Sequence, residues 1–328
     1  MKQILVTMAA VVLVGGCGEG PAAVEVRKTP PKRVKLTEKP LPKDFKSLRA
    51  LAETGNLAAQ TKLAKMYFGG PGVEQDFKEA VKWFRKAAEQ GHADAQYVLG
   101  LMYDEGKGVP EDNKEAVKWY RLAADQGDAD AQYALGLMYD TGEGVEQNDE
   151  EAVKWYRKAA VQGHVNAQGN LGTAYYAGFG VKQDFKEAKR WVQKAADQGL
   201  PDAQLVLGHM YSEGEGVLQD DKEAVKWFRK AAEQGFPIGQ YSLGKNYEFG
   251  EGVPQNTKEA MNWYRKAAEQ GYVNAQFDLG SLYFNSKGAD QDFKEAARWW
   301  GKAADQGDAE AKTKLQLLLK EHPELRED

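Results

Sequence analysis

The sequence predicts an all-α fold, a solenoid of helical hairpins with a 36-residue period. Three observations carry that prediction. Trp83, Trp119, Trp155, Trp191, Trp227, Trp263 and Trp299 stand 36 residues apart. The phrase around each is nearly constant: EAVKWFRKAAEQG, EAVKWYRLAADQG, EAVKWYRKAAVQG. Glycines recur at fixed places after each expected helix. A period of this length marks a stacked unit that cannot bury its apolar face alone.

The elements follow in chain order. Met1 and Lys2 give a positive start, and residues 4–16 form an apolar run. The run is shorter than the ~20 residues a membrane-spanning helix needs and fits the apolar region of a secretory signal. It ends Val14-Gly15-Gly16-Cys17. Small residues before the chain's single cysteine resemble the lipobox of bacterial lipoproteins. That resemblance implies that residues 1–16 are a removed signal peptide and that Cys17 carries the lipid, palmitate included. Gly18 in the next place, rather than Asp, implies the outer membrane. The alternative is an ordinary signal peptide with an incidental cysteine.

Residues 17–43 form a Pro- and Lys-rich tether, with Pro21, Pro30, Pro31, Pro40 and Pro42 among Arg27, Lys28, Lys32, Arg33, Lys35, Lys39 and Lys43. Proline and like charges favour an extended chain. Residues 1–43 hold 8 basic and 3 acidic side chains, and the remainder 36 and 46. The anchor side is therefore basic and the body acidic. Contact with anionic lipid is one reading of the tether, and a plain linker is the other.

Residues 44–56 read as a capping half-repeat, with Leu48, Leu51 and Gly55 in phase. Residues 57–308 hold seven full repeats. In the second, Ala95, Leu99 and Tyr103, with Met102, line one face of a first helix. Gly100 marks a close approach, and Gly106 and Gly108 end the helix. Asp112 and Glu115 read as a capping box that opens the second helix. The pair recurs as Asp76/Glu79, Asn148/Glu151, Asp184/Glu187, Asp220/Glu223, Asn256/Glu259 and Asp292/Glu295. Ala116, Trp119, Tyr120, Ala123 and Ala124 line that helix, and Gly127 stops it. Residues 309–328 read as a C-terminal capping helix, with Ala311, Leu315 and Leu319 in phase.

The string A-x-x-x-L-G-x-x-Y…G-x-G-V…D…A…W-[FY]-x-K-A-A-x-x-G over residues 57–308 resembles the Sel-one-like repeat family, relatives of tetratricopeptide repeats. The resemblance implies a right-handed superhelix. It also implies an adaptor, regulator or host-contact protein that binds other proteins on a curved surface.

Composition and motifs exclude several functions. A net charge of −5 with no basic folded region argues against nucleic-acid binding. The Gly-x-Gly pairs follow helices and read as caps, not as phosphate loops. His92 and His164 share one repeat position with Asp128, Leu200, Phe236 and Tyr272, which is no ligand pattern. Ser242-Leu243-Gly244-Lys245 has the Ser-x-x-Lys spacing of penicillin-recognising enzymes. Leu243 and Gly244 are ordinary repeat positions, however, and the companion motifs are absent. No cofactor, metal, catalytic residue or small-molecule substrate is expected.

A partner is expected on the concave side, on the arc of the first helices opposite the core stripe. In the second repeat that arc holds Asp94, Tyr97, Leu101, Asp104 and Glu105. In the third it holds Asp130, Tyr133, Leu137 and Asp140. Tyr176, Phe249 and Phe284 extend it. Acids beside apolar side chains suit a basic, partly apolar peptide or helix. The expected function is a non-catalytic protein-interaction scaffold, lipid-anchored in the bacterial envelope and facing the periplasm or the surface. A periplasmic regulator of a membrane partner and a surface or host-contact factor are alternatives, and a β-lactam or cell-wall enzyme is a remoter one.

Overall fold

The computed structural model describes residues 41–42, 44–69, 72–285 and 291–326. The signal sequence, Cys17 and almost all of the tether lie outside the described residues. Those residues form sixteen α-helices and a short 3₁₀ turn, with no strand among them. They divide into two compact units at Gln183/Asp184.

The first unit runs α1 (Phe45–Glu53), α2 (Leu57–Gly69), α3 (Phe77–Glu89), α4 (Ala93–Asp104), α5 (Asn113–Asp125), α6 (Ala129–Thr141), α7 (Asp149–Val161) and α8 (Val165–Ala177). The second runs α9 (Phe185–Asp197), α10 (Pro201–Glu213), α11 (Asp221–Glu233), α12 (Pro237–Phe249), α13 (Thr257–Glu269), α14 (Val273–Asn285), α15 (Phe293–Asp305), α16 (Ala309–Glu321) and the 3₁₀ turn Pro323–Arg326. Within each unit consecutive helices pack as hairpins.

The second helices start at side-chain caps, because the first N–H groups of a helix have no partner inside it. Asp112 Oδ1 accepts from the Glu115 N–H at 3.0 Å, and Asn148 Oδ1 from Glu151 at 3.0 Å. Only half of the expected capping box forms. The Asp112 N–H donates instead to the Tyr103 carbonyl at 2.9 Å, which ties the second helix to the end of the first. The glutamate is thereby released to the helix surface, where Glu115 meets Lys118 at 2.7 Å.

Glycine sets the helix spacing. A Cβ on Gly100 would lie 2.6 Å from the Tyr120 ring, and one on Gly136 2.6 Å from Tyr156. Gly108 has φ +75°, and a Cβ there would fall 2.3 Å from the Phe77 carbonyl oxygen of the preceding second helix. Both clashes lie far inside van der Waals contact, so larger residues would force the helices apart.

The core stripe consists of small residues and single large ones: Ala95, Leu99 and Met102 against Ala116, Tyr120, Ala123 and Ala124, all buried. Tyr103, read as part of that stripe, is half-buried. Its hydroxyl accepts from the Arg85 guanidinium, which joins neighbouring hairpins. The same tie recurs at Arg121–Tyr139, Arg157–Tyr175, Arg229–Tyr247 and Arg265–Tyr283.

A row of glutamines adds a second tie. Gln96 is 4% exposed. Its Nε2 donates to the Ala88 carbonyl at 3.0 Å, one of the last carbonyls of α3, which also accepts the Gly91 N–H at 2.9 Å. Its Oε1 accepts from Gln126 Nε2 at 2.6 Å. Gln132 repeats the pattern with Ala124 and Gln162, and in the second unit Gln240 repeats it with Ala232 and Gln270.

Candidate functional site

In the first unit the face read as a partner surface is carried by α4 and α6. Neither helix contains a Lys or Arg. Asp94, Asp130 and Glu105 are exposed, and Tyr97, Leu101, Tyr133 and Leu137 are half-buried. The rings of Tyr97 and Tyr133 each lie 5.9 Å from a buried ring of the following helix, Tyr120 and Tyr156. These two tyrosines thus serve the hairpin and remain partly exposed, Tyr133 with the His164 ring stacked on it as well.

Asp104 and Asp140 have a structural duty as well. Each accepts the hydroxyl of the buried tyrosine one hairpin arm away, Tyr120 at 3.0 Å and Tyr156 at 3.0 Å. Burial pushes both carboxyls above the usual range, and the tyrosine hydrogen bond pulls partly back. Burial likewise raises Asp128, whose neighbours Asp130 and Asp94 add repulsion. It also raises the Tyr97 hydroxyl, to which Asp130, Asp128, Glu105 and Asp104 contribute. Glu105 pairs with Lys107 at 2.6 Å, and the remaining carboxylates crowd around Tyr97 without a cation on α4 or α6, a field that favours a positively charged ligand.

His92 and His164 begin α4 and α8 as N-caps, a role the sequence reading did not give them. Their Nδ1 atoms accept from Ala95 N–H and Ala167 N–H, each at 3.2 Å. Nδ1 is therefore unprotonated and the hydrogen sits on Nε2. In His164 that nitrogen faces Asp130 Oδ1 at 3.4 Å, and the ring stacks on Tyr133 at 4.5 Å. Where the cap residue is apolar, at Leu200 and Phe236, no side-chain cap bond forms and proline takes the first helical position instead.

Two residues expected to face a partner are taken up by packing. Tyr176 is buried, 9% exposed. Phe284 packs on Phe293 at 5.6 Å and on Trp300 at 5.3 Å. The sequence held a signal for this. Phe77, Phe185 and Phe293 open second helices in the phrase DFKEA, and the aromatic positions 68, 176 and 284 precede them. Phe68 meets Phe77 at 5.4 Å. In repeats that open with a polar residue, Asp104, Asp140 and Glu248 instead accept a tyrosine hydroxyl from the second helix.

In the second unit Phe249 is 55% exposed, and the Lys245 ammonium lies 4.4 Å from its ring centre. Tyr241 donates to Asp278 Oδ2 at 2.9 Å and packs on Tyr264 and Tyr272. His209 presents a buried Nε2 with no partner among the described residues. Its ring stands edge-on to Phe228 at 5.0 Å, and burial pushes its pKa down to about 4. Ser242 is buried, so the Ser-x-x-Lys string presents no open hydroxyl. Among the described residues no His, Asp and Glu cluster could hold a metal ion, and no helix is long and apolar enough to cross a membrane.

The model of the Sel1 repeat matches residues 57–92, 93–128, 129–164, 165–200, 201–236, 237–272 and 273–308. A Sel1 repeat protein from Oxalobacter formigenes is 39% identical with a TM-score of 0.70, covering 83% of this chain and 79% of that one. A protective antigen present in uropathogenic Escherichia coli strains, described as displaying an SLR fold, is 38% identical with a TM-score of 0.68. The match covers 85% of this chain and 68% of that one. No curated protein matches the chain.

Proposed function

This chain belongs to the Sel1 repeat family, and on that premise we propose that it is a non-catalytic scaffold holding a protein partner against its first helices. One observation carries the reading: the α4 and α6 face combines exposed acids with half-buried tyrosine and leucine, and its helices have no basic residue. Such a face offers apolar contact and a negative field together, the two things a basic, partly apolar segment needs. Proteins of this repeat are generally interaction scaffolds. The second-helix caps and the glutamine and arginine ties are occupied in holding the stack, which leaves the first helices as the variable side.

The place of action is part of the proposal. Cys17 at the end of an apolar run and the Pro-Lys tether support a lipid-anchored envelope protein, with the outer membrane favoured and the body held off the bilayer. A pull-down from envelope extract tests both parts. The bait is tagged chain, run beside Asp94→Asn/Asp130→Asn, in which two exposed carboxylates become amides of the same size. A specific protein retained by the first and lost by the second is the expected result. Equal capture by both baits sinks the face assignment, and labelling that fails to place radioactive palmitate on Cys17 sinks the anchor.

A further inference from the structure

The chain carries, next to this acidic face, a basic segment of its own. Residues 41–42 are described and lie on α2: Lys62 Nζ donates to the Pro42 carbonyl at 3.3 Å, and Leu41 packs against the first core cluster. Lys62 occupies in α2 the repeat position that Val98 occupies in α4. The tether thus joins the body along the first-helix side, at the end of the row that continues through α4 and α6. The α2 positions themselves carry Lys62 and Lys65, so the negative field begins only one hairpin further on.

We propose that the segment around residues 27–39 docks intramolecularly on the α4–α6 face and competes there with the partner. The inference rests on that face being the docking surface. Charge complementarity supports it. The segment RKTPPKRVKLTEK holds six basic residues and one acid. It would meet Asp94, Asp104, Glu105, Asp128, Asp130 and Asp140. Val34 and Leu36 supply apolar side chains to meet the half-buried Leu101 and Leu137. Length supports it too. From Pro42 back to Arg33 an extended chain reaches about 28 Å at ~3.1 Å per residue. The face lies two hairpin layers away, on the order of 20 Å at ~10 Å per layer. A tethered segment has an effective concentration in the millimolar range. Even a weak, salt-sensitive contact is then largely formed, and a partner must displace it.

The test uses the full chain from residue 18, with a fluorescent peptide copying residues 27–39 as the probe. One version is native. In the other Arg27, Lys28, Lys32, Arg33, Lys35 and Lys39 are serine. At low salt the peptide binds the serine chain about three- to ten-fold more tightly, because the native tether no longer occupies the face. Asp94→Asn/Asp130→Asn in the serine chain weakens binding several-fold, and 0.5 M salt abolishes it. Equal affinity for native and serine chains overturns the proposal, as does peptide that fails to bind either. A partner captured through Asp94 and Asp130 while the peptide does not bind leaves the scaffold reading intact and removes only the tether. Circular dichroism checks that each variant retains its helices.

Discussion

His209→Leu isolates a single buried ionisable group in the second unit. The ring's Nε2 is buried and lacks a partner among the described residues, although part of the residue's surface reaches solvent. Its pKa is pushed by burial from 6.5 down to about 4. A group with a depressed folded pKa gives up stability as pH falls, because the unfolded chain takes the proton first. For a histidine the loss starts near the unfolded value of about 6.5 and is complete near 4. With each pKa unit about 1.36 kcal/mol, the linkage amounts to roughly 2 kcal/mol between pH 7 and pH 5. Partial solvent access brings the expectation to about 1–2 kcal/mol, or roughly 2–6 °C in Tm for a unit of this size. Leucine suits the site because Leu101 and Leu137 hold the same repeat position. The assay is thermal unfolding followed by far-ultraviolet circular dichroism at pH 7 and pH 5, for native chain and His209→Leu side by side. The variant should be at least as stable at pH 7 and should lose less on acidification. Other titrating groups are common to both chains and cancel in the difference. Identical losses in the two proteins would refute the argument that His209 is held neutral by burial.

Other outcomes follow from the same geometry. Gln132→Leu removes the bonds to the Ala124 carbonyl and to Gln162 while that carbonyl keeps the Gly127 N–H at 3.0 Å, which should cost about 1 kcal/mol. Hydrogen exchange at the end of α5 should accelerate with it, and unchanged exchange there speaks against the tie. Gly136→Ala places a methyl 2.6 Å from the Tyr156 ring and should destabilise by about 1–3 kcal/mol, read as a lowered denaturation midpoint. Trp155→Ala should cost about 3–5 kcal/mol by the same readout, since the residue is 5% exposed. Binding of a basic peptide to the α4–α6 face should weaken on acidification before the ordinary carboxylate range is reached. Burial raises Asp104, Asp128 and Asp140, so they neutralise before exposed carboxylates do. Affinity that holds down to pH 4 contradicts a charge-based docking.

The repeats, the helix starts and the glycine stops were legible because each is a local signal. A cap residue acts within three positions, and a glycine with positive φ acts within its own turn. The ties between hairpins were harder to read. Gln96 follows Ala95 just as Gln132 follows Ala131 and Gln276 follows Ala275. A repeated Ala-Gln looks like helix filler until the end of the preceding helix supplies a carbonyl for it. The Arg85–Tyr103 contact likewise spans eighteen residues and two helices. Tyr176 and Phe284 were misplaced for a related reason. A single 36-residue period assigns them to the arc of Asp104, whereas the rarer DFKEA spacing of 108 residues marks Phe284 for the contact with Phe293 that Phe68 makes with Phe77.

Variation on several second helices is compensated inside its own repeat. In the DFKEA repeats the indole of Trp83 donates to Glu79 at 3.1 Å, Trp191 to Glu187 at 3.2 Å and Trp299 to Glu295 at 2.9 Å. There the following lysine stands 4.3–4.4 Å from the ring centre. In two other repeats the Trp155 and Trp227 indole N–H groups have no partner among the described residues. The lysine closes to 3.5 Å and 3.6 Å. In these two repeats a lost hydrogen bond is offset by a tighter cation–π contact on the same helix, whereas Trp119, whose indole N–H also has no partner among the described residues, has Leu122 in the lysine's place. No such exchange covers the exposed first-helix position, where Asp94 and Asp130 are followed by Asn166, Asp202, Ile238 and Asn274. Charge there changes without a compensating neighbour on its own helix, although Asp130 faces His164 Nε2 of α8 at 3.4 Å. The identity of this position is thus set less by the stack than Asp104 or Asp140 is, and for α4 and α6 it is negative.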